Sequence, residues 1–266
     1  MELFTVANFR EVTSTNYQIK QAIKAHANEG YVCRAIKQTE GRGRHGRHWT
    51  SPEGGLYQAV LLRPKPELNS WPTLGFVMAL SIRAALLRLG ALPAETIQIK
   101  WPNDLMVGDK KIAGISMEAT QGAMCIGMGV NVFRPIENYD ALSDAKFEPA
   151  YFADIALGLP KYGPIAFGNG YEFANQFEAI AAIGDAILSA FEQCYPVWQS
   201  NKFPPFAKEY ESCNYLAGKR VRMQTLAGDV IAEGTVVGIE PVTACLLIDD
   251  GTQTRVVVNS GEAIVI

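Results

Sequence analysis

The sequence predicts an α+β fold, a mixed β-sheet with helices packed on it, followed by a small β-barrel. Three observations carry this. Stretches with strand and helix periodicity are mixed irregularly, without the strict βαβ order of a doubly wound parallel sheet. From Gly218 the chain turns to short β-branched runs separated by Ala227-Gly228-Asp229 and Asp249-Asp250-Gly251, the spacing of a small all-β unit. A chain of 266 residues that is 48% hydrophobic and 19% charged can also bury a real core. The expected division is a larger unit over 1–212 and the barrel over 213–266.

Each element has its own signal. Ser14-Thr15 caps a helix reaching about Asn28, with Ile19, Ala22, Ile23 and His26 on one face. Gly30 stops it, and 31–37 reads as a strand. A polar, Gly- and Arg-rich loop fills 38–55, and loops of that length are usually functional. Strand 56–63 is closed by Pro64 and Pro66. A mostly apolar helix covers 73–89 and ends at Gly90. Strand 97–101 is broken by Pro102, 105–107 leads into the turn Gly108-Asp109, 111–119 returns, and 124–133 follows. The Pro-, Gly- and Asp-rich stretch 134–171 reads as loop with one short helix at 151–156. Helices are expected at 174–194 and 198–210, then strands at 220–225, 230–237, 244–248 and 254–258.

Composition excludes several classes. A net charge of −3 does not suit a protein that coats nucleic acid. The longest apolar stretch, 74–87, is interrupted by Arg83 and reads as too short to span a bilayer. Met1-Glu2-Leu3-Phe4 lacks the basic and apolar segments of a signal peptide. The five cysteines are scattered and never closer than 19 residues, which suits reduced thiols in the cytoplasm. Neither they nor His26, His45 and His48 form a metal-ligand pattern, so no metal site is expected.

Three clusters carry the chemistry. Gly41-Arg42-Gly43-Arg44-His45-Gly46 formally matches the dinucleotide fingerprint G-x-G-x-x-G. Polar Gln38-Thr39-Glu40 before it and Arg47-His48-Trp49-Thr50-Ser51-Pro52 after it do not supply the strand and helix that fingerprint needs. The arginines are more telling. Arg42, Arg44 and Arg47 repel one another until an anion offsets them, and arginine grips phosphate or carboxylate with a rigid fork. Interleaved glycines would let backbone N–H groups face the same anion. A solvated basic loop is the plainer alternative.

The second cluster is Lys100-Trp101-Pro102-Asn103-Asp104 with Lys110-Lys111-Ile112-Ala113-Gly114. The hairpin through Gly108-Asp109 should bring Lys111 beside Asp104, within reach of one ligand. A surface ion pair is the commoner outcome of such a pairing. The third cluster, Gly127-Met128-Gly129-Val130-Asn131, places alternating glycines in a strand, the mark of close approach by a ligand or another backbone.

Taken together and in this order, these clusters resemble those of the biotin–protein ligases, and Ser14-Thr15-Asn16 fits the same family's early helix-capping motif. The likeness is strong over about 10–133 and looser toward the C-terminus, where the family carries an SH3-like barrel. It implies a biotin/lipoate-ligase-like catalytic domain and two half-reactions. Biotin is activated with ATP as biotinyl-5'-AMP, with Mg²⁺ assisting. The biotinyl group then passes to a lysine of a biotin carboxyl carrier protein of the acetyl-CoA carboxylase type. By resemblance Lys111, Asp104 and Arg44 are catalytic, with Asp104 orienting or deprotonating the incoming lysine. Ser14, Thr15, Gln38, Gly41, Arg42, Arg44, Lys111, Gly114 and Gly127 surround biotin. Arg42, Arg44, Arg47, Trp49, Asn103 and Lys111 hold ATP or the adenylate.

Larger members of the family carry an N-terminal helix-turn-helix. Here the catalytic motifs begin close to Met1, so the expectation is the single-function ligase, with no DNA and no membrane as partner. Monomer and homodimer both stay open. Two rivals remain: a lipoate–protein ligase, and a biotin sensor that kept the fold without the activity.

Overall fold

The computed structural model describes residues 3–135, 147–156, 165–225, 227–252 and 255–266. The first half builds one seven-stranded sheet. It contains β1 (Thr5–Val12), β2 (Tyr31–Gln38), β3 (Gly55–Leu62), β4 (Gln98–Lys100), β5 (Asp104–Val107), β6 (Lys110–Thr120) and β7 (Ala123–Asn131). The strand order is β1-β2-β3-β7-β6-β5-β4. Only β1 and β2 pair in parallel, so the sheet is mixed, as expected.

Strand β1 is an addition to the sequence reading. With α1 (Thr15–Lys24) and β2 it makes a βαβ unit at the sheet edge. Asn8, Arg10 and Glu11 interrupt its apolar pattern, because an edge strand with half-exposed faces need not alternate cleanly. Helix α1 is shorter than expected, stopping at Lys24 where the chain turns through His26 at φ +56°. It buries Ile19 and Ile23 against Cys33, Ala59, Leu61 and Cys125 on one face of the sheet.

The opposite face is covered by α2 (Leu74–Gly90) and α4 (Gln176–Asn201). Strand β3 runs between the two helical layers and is buried along its whole length. With the 3-10 turn before it, the segment Leu68–Gly90 is long and apolar enough to cross a membrane, which corrects the expected shortness. Its most apolar window is 78% buried inside the fold, so its apolarity has a packing explanation. Helix α4 also outruns its expected end. Pro196 removes one backbone donor, yet Tyr195 and Trp198 stack across it and Trp198 Nε1 donates to Thr73 Oγ1 at 2.8 Å. The chain breaks only at Lys202, at φ +60°, so the second helix is α5 (Pro204–Ser212) and not 198–210.

Within the stretch read as loop, the expected short helix is α3 (Phe152–Ala156), and β8 (Ile165–Ala166) pairs with β9 (Glu172–Phe173). The remaining strands are β10 (Arg220–Gln224), β11 (Val230–Ile239), β12 (Leu246–Asp249), β13 (Arg255–Val258) and β14 (Glu262–Val265). They form one antiparallel sheet in the order β13-β12-β11-β10-β14. Strand β14 was not anticipated, and Thr254 of the expected fourth strand lies outside the described residues.

This second sheet is fastened to the β4–β6 edge of the first. Ile99 N–H donates to Cys213 O at 2.8 Å and Tyr215 N–H to Ile99 O at 2.9 Å. Trp101 Nε1 donates to Ala244 O at 2.9 Å, fully inside. Tyr215 OH donates to Asp109 Oδ1 at 2.7 Å, gripping the very turn that joins β5 to β6.

Candidate active site

The ends of β2, β6 and β7, the start of α1 and the 38–55 loop enclose a cavity of about 390 Å³. Of the residues singled out from sequence, Thr15, Gln38, Arg42, Arg44, Arg47, Trp49, Asn103, Asp104, Lys111, Gly114 and Gly127 all line it. Ser14 and Gly41 do not. Ser14 is buried at the start of α1 without a side-chain cap bond. Gly41 is packed so closely that a Cβ there would run into Trp49 O and Ser51 Oγ, which gives this glycine a packing role.

At the centre, Lys111 Nζ lies 2.6 Å from Asp104 Oδ1, with the side chains 22% and 16% exposed. This is a sheltered pair and not the common surface one. A β-bulge creates it. Asp104 pairs with Gly114 and Leu105 with Ala113, but Met106 pairs with Lys111, leaving Ile112 unopposed. Lys111 and Gly114 are three positions apart, an odd offset, so a regular strand would aim them to opposite faces. The extra residue turns Lys111 back onto the cavity face while Ile112 and Ala113 stay in the core. The Lys111 backbone is pinned as well: its N–H donates to Glu148 O, and its carbonyl accepts from Ala150 N–H and Asn131 Nδ2.

The arginine loop is ordered by its own backbone. Gly43 N–H donates to Arg47 O at 2.7 Å and Trp49 N–H to Gly41 O at 2.8 Å. The Gly43 amide is therefore spent within the loop, contrary to the expectation that it would face an anion. The side chains carry the charge instead. Arg44 Nη1 donates to Asn103 Oδ1 at 3.0 Å, and Asn103 Nδ2 donates to Ile115 O at 2.9 Å, so the loop is tied to the β4–β5 tip. Burial lowers the Arg44 guanidinium from its ordinary value, and Asp104 offsets part of that. Arg42 is well exposed beside Glu40. Arg47 reaches Glu262 of β14 at 3.2 Å, and Glu262 lines the cavity too.

Trp49 lies over the glycines. A Cβ on Gly129 would stand 2.5 Å from its Nε1, and one on Gly114 would stand 3.1 Å from its ring. Lys111 Nζ is 5.0 Å from the indole centroid. Trp49 Nε1 is buried without a hydrogen-bond partner among the described residues, a donor that a ligand in the cavity could use.

The two ends of the cavity differ. At one, Thr15 N–H and Thr15 Oγ1 both donate to Gln38 Oε1 at 2.8 and 3.0 Å, and Gln38 Nε2 donates to Ser51 Oγ at 2.8 Å. Asn16 and Ser116 stand beside them. At the other, Phe133, Phe147, Pro149 and Tyr151 make an apolar, aromatic wall. Sequence reasoning assigned no role to Asn16, Ser116, Asn131, Phe147, Tyr151 or Glu262. Period two could have found Ser116, which follows Gly114 by two positions on a strand. No comparable signal marks Phe147 or Tyr151, which come from a stretch without readable periodicity.

Among the described residues, no group of three or more His, Cys, Asp or Glu side chains is placed to hold a metal ion.

The chain is similar to known proteins in sequence and in fold. Residues 6–131 match the Biotin/lipoate A/B protein ligase family. The chain is 29% identical over 242 residues to the bifunctional ligase/repressor BirA of Bacillus subtilis, covering 89% of this chain and 67% of that one. It is 27% identical over 256 residues to the biotin–[acetyl-CoA-carboxylase] ligase of Mycobacterium tuberculosis, covering 94% and 85%. Among solved structures it superposes on the biotin protein ligase from Aquifex aeolicus in complex with biotin and ATP. The TM-score is 0.77 at 26% identity, over 98% of this chain and 97% of that one. The chain is therefore similar to the Biotin/lipoate A/B protein ligase family over residues 6–131, and similar in fold to a biotin protein ligase over almost its whole length.

Proposed function

We propose that this chain is a biotin–protein ligase, joining biotin to a lysine of a carrier protein at the expense of ATP. The observation that carries the reading is the Lys111–Asp104 pair with Arg44 at the middle of a cavity whose ends suit different ligands. A polar end built from Thr15, Gln38, Asn16 and Ser116 matches a cyclic urea. The aromatic wall at the far end and the Trp49 indole match a nucleobase. The dithiolane of lipoate has no N–H or C=O to satisfy that polar end, so biotin is favoured over lipoate.

The chemistry needs this arrangement. In the first half-reaction a biotin carboxylate oxygen bonds to the α-phosphorus of ATP while the bond to the β-phosphate oxygen breaks, releasing diphosphate. Two like charges at ~4 Å oppose each other by about 4 kcal/mol in a partly screened site. Lys111 and Arg44 lie at the meeting point to offset this and to stabilise charge growing on phosphorus. Arg42 and Arg47, with the exposed arms, close on the phosphates. Asn103 holds Arg44 in place, and Gly114 and Gly127 keep the floor low. In the second half-reaction the carrier lysine nitrogen attacks the acyl carbon, the bond to AMP breaks, and the amine proton leaves. Asp104 is placed to take it once Lys111 has engaged phosphate oxygen.

Mg²⁺ fits as part of the substrate. The cavity carboxylates Asp104 and Glu262 already face cations, a donor set suited to an ion held mainly by phosphate oxygens. We assign 1–212 to the catalytic domain and 213–266 to an SH3-like barrel. Its Glu262–Arg47 contact gives it a part in closing the site. The partner is a biotin carboxyl carrier protein of the acetyl-CoA carboxylase type, the setting is the cytoplasm, and neither DNA nor membrane has a place in the reaction. The direct test is mass spectrometry of the small molecules formed from Mg-ATP with biotin or lipoate. Biotinyl-AMP is the expected product, and lipoyl-AMP alone would overturn the assignment.

A further inference from the structure

We propose that Ser116 donates a hydrogen bond to an acceptor on the fused rings of biotin, and that Glu118 is a positioning residue that fixes this direction through Asn16. The inference rests on the biotin reading above and adds residues to it.

Ser116 and Glu118 follow Gly114 at period two along β6, and Asn16 sits in the first turn of α1. Ser116 and Asn16 are 9% and 5% exposed, and both line the cavity. Asn16 Nδ2 donates to Ser116 Oγ at 3.0 Å and to Glu118 Oε1 at 3.2 Å. A carboxylate only accepts, so Glu118 settles which end of the Asn16 amide faces the strand. Both amide protons are thereby used. Lys20, one helical turn beyond Asn16, pairs with the second Glu118 oxygen and holds the carboxylate in place.

The consequence falls on Ser116. Its oxygen receives the Asn16 bond, and among the described residues no acceptor takes its own proton. The space beside it is kept open by Gly127, where a Cβ would collide with Asn16 Oδ1 and stand 2.8 Å from Ser116 Oγ. A sheltered hydroxyl proton without a partner is costly, and a ligand acceptor relieves that cost. Thr15 is wired in the opposite sense. Its hydroxyl proton goes to Gln38 Oε1, whose identity is fixed by the Thr15 backbone N–H, so Thr15 offers lone pairs to the cavity. The polar end thus presents an acceptor at Thr15 and a donor at Ser116. That pattern fits a ring system with both N–H groups and an acceptor, and biotin carries two acceptors, the urea oxygen and the ring sulfur.

The test compares KM for biotin, dethiobiotin (urea kept, sulfur absent) and ATP in Ser116→Ala, Glu118→Ala and Glu118→Gln. One neutral hydrogen bond corresponds to up to about ten-fold in affinity. Ser116→Ala should raise the biotin KM by about that factor while the ATP KM stays put, which also normalises for any loss of folded protein. An equal rise with dethiobiotin assigns the bond to the urea oxygen, and a rise with biotin alone assigns it to sulfur. Glu118→Ala should raise the biotin KM in the same direction by a smaller factor, and Glu118→Gln, which can still accept, should restore it. Unchanged KM for both acids in Ser116→Ala overturns the contact. A native biotin KM in Glu118→Ala, or failure of glutamine to rescue, overturns the positioning role. Absence of biotinyl-AMP from the unmodified protein is a separate result, and it removes the reading on which this one stands.

Discussion

Lys111 reaches Asp104 only because Ile112 is an extra residue between them and the regular ladder of β6. The bulge puts a cation and a carboxylate on one face, at the floor of the cavity, from a spacing that would otherwise separate them. The pair gives each residue a different expected defect. Lys111→Met should cut biotinyl-AMP formation by two to three orders of magnitude, the size of effect typical of losing one preorganised electrostatic group. Asp104→Ala should spare adenylate formation more than transfer. Single-turnover assays of the two half-reactions check this, and equal loss in both for Asp104→Ala would remove its role as a base.

The glycine floor is a steric prediction. Gly129→Ala places a methyl group 2.5 Å from Trp49 Nε1, so the indole must move, whereas Gly43→Ala meets nothing closer than 3.6 Å. We expect Gly129→Ala to weaken ATP binding at least ten-fold, with Gly43→Ala much closer to the unmodified protein. Isothermal titration calorimetry with a non-hydrolysable ATP analogue measures both.

The bond from Trp101 Nε1 to Ala244 O spans the two sheets. Trp101→Phe removes the donor and strands a buried carbonyl, at about 1–3 kcal/mol. The expected result is a Tm lower by several degrees, read by differential scanning calorimetry. An unchanged Tm would mean that the sheets are not held together there.

Burial pushes the thiols of Cys33 and Cys213 up to about 12 and about 11. An unfolded thiol titrates near 8.5. The folded state therefore holds more protons between about pH 8.5 and 12, and stability must fall as pH rises through that window. Urea unfolding at pH 8 and pH 10.5 should show this loss, reduced in a Cys33→Ala, Cys213→Ala variant. In the native protein at pH 8, Cys33, Cys125 and Cys213 should resist iodoacetamide while Cys194 and Cys245, which are partly exposed, react first.

Much of the site could be read from the chain because its chemistry is concentrated in a few dense motifs. Arg44, Trp49, Asn103, Asp104, Lys111 and Gly127 each stood out by residue type and neighbours, and all of them line one cavity. What stayed hidden needed three-dimensional information. The bulge at Ile112 leaves no composition signal, and Ser116 became visible only with Asn16 and Glu118 around it. The elements tell the same story. Strong apolar period marked α2, while β1 and β14, both strands at sheet edges, carry mixed faces that mimic loop. The helix expected over 174–194 runs on through Pro196, where Tyr195 and Trp198 stack on either side of it. Part of 134–171 lies outside the described residues, and its described residues Phe147, Pro149 and Tyr151 supply a wall that no pattern announced.

The central claim is most directly tested by intact-mass analysis of a biotin carboxyl carrier domain incubated with this protein, Mg-ATP and either biotin or lipoate. The account predicts the gain of one biotinyl group, dependent on ATP and lost in Lys111→Ala, with no lipoyl product. A carrier mass unchanged with biotin, or shifted by lipoate alone, would contradict it.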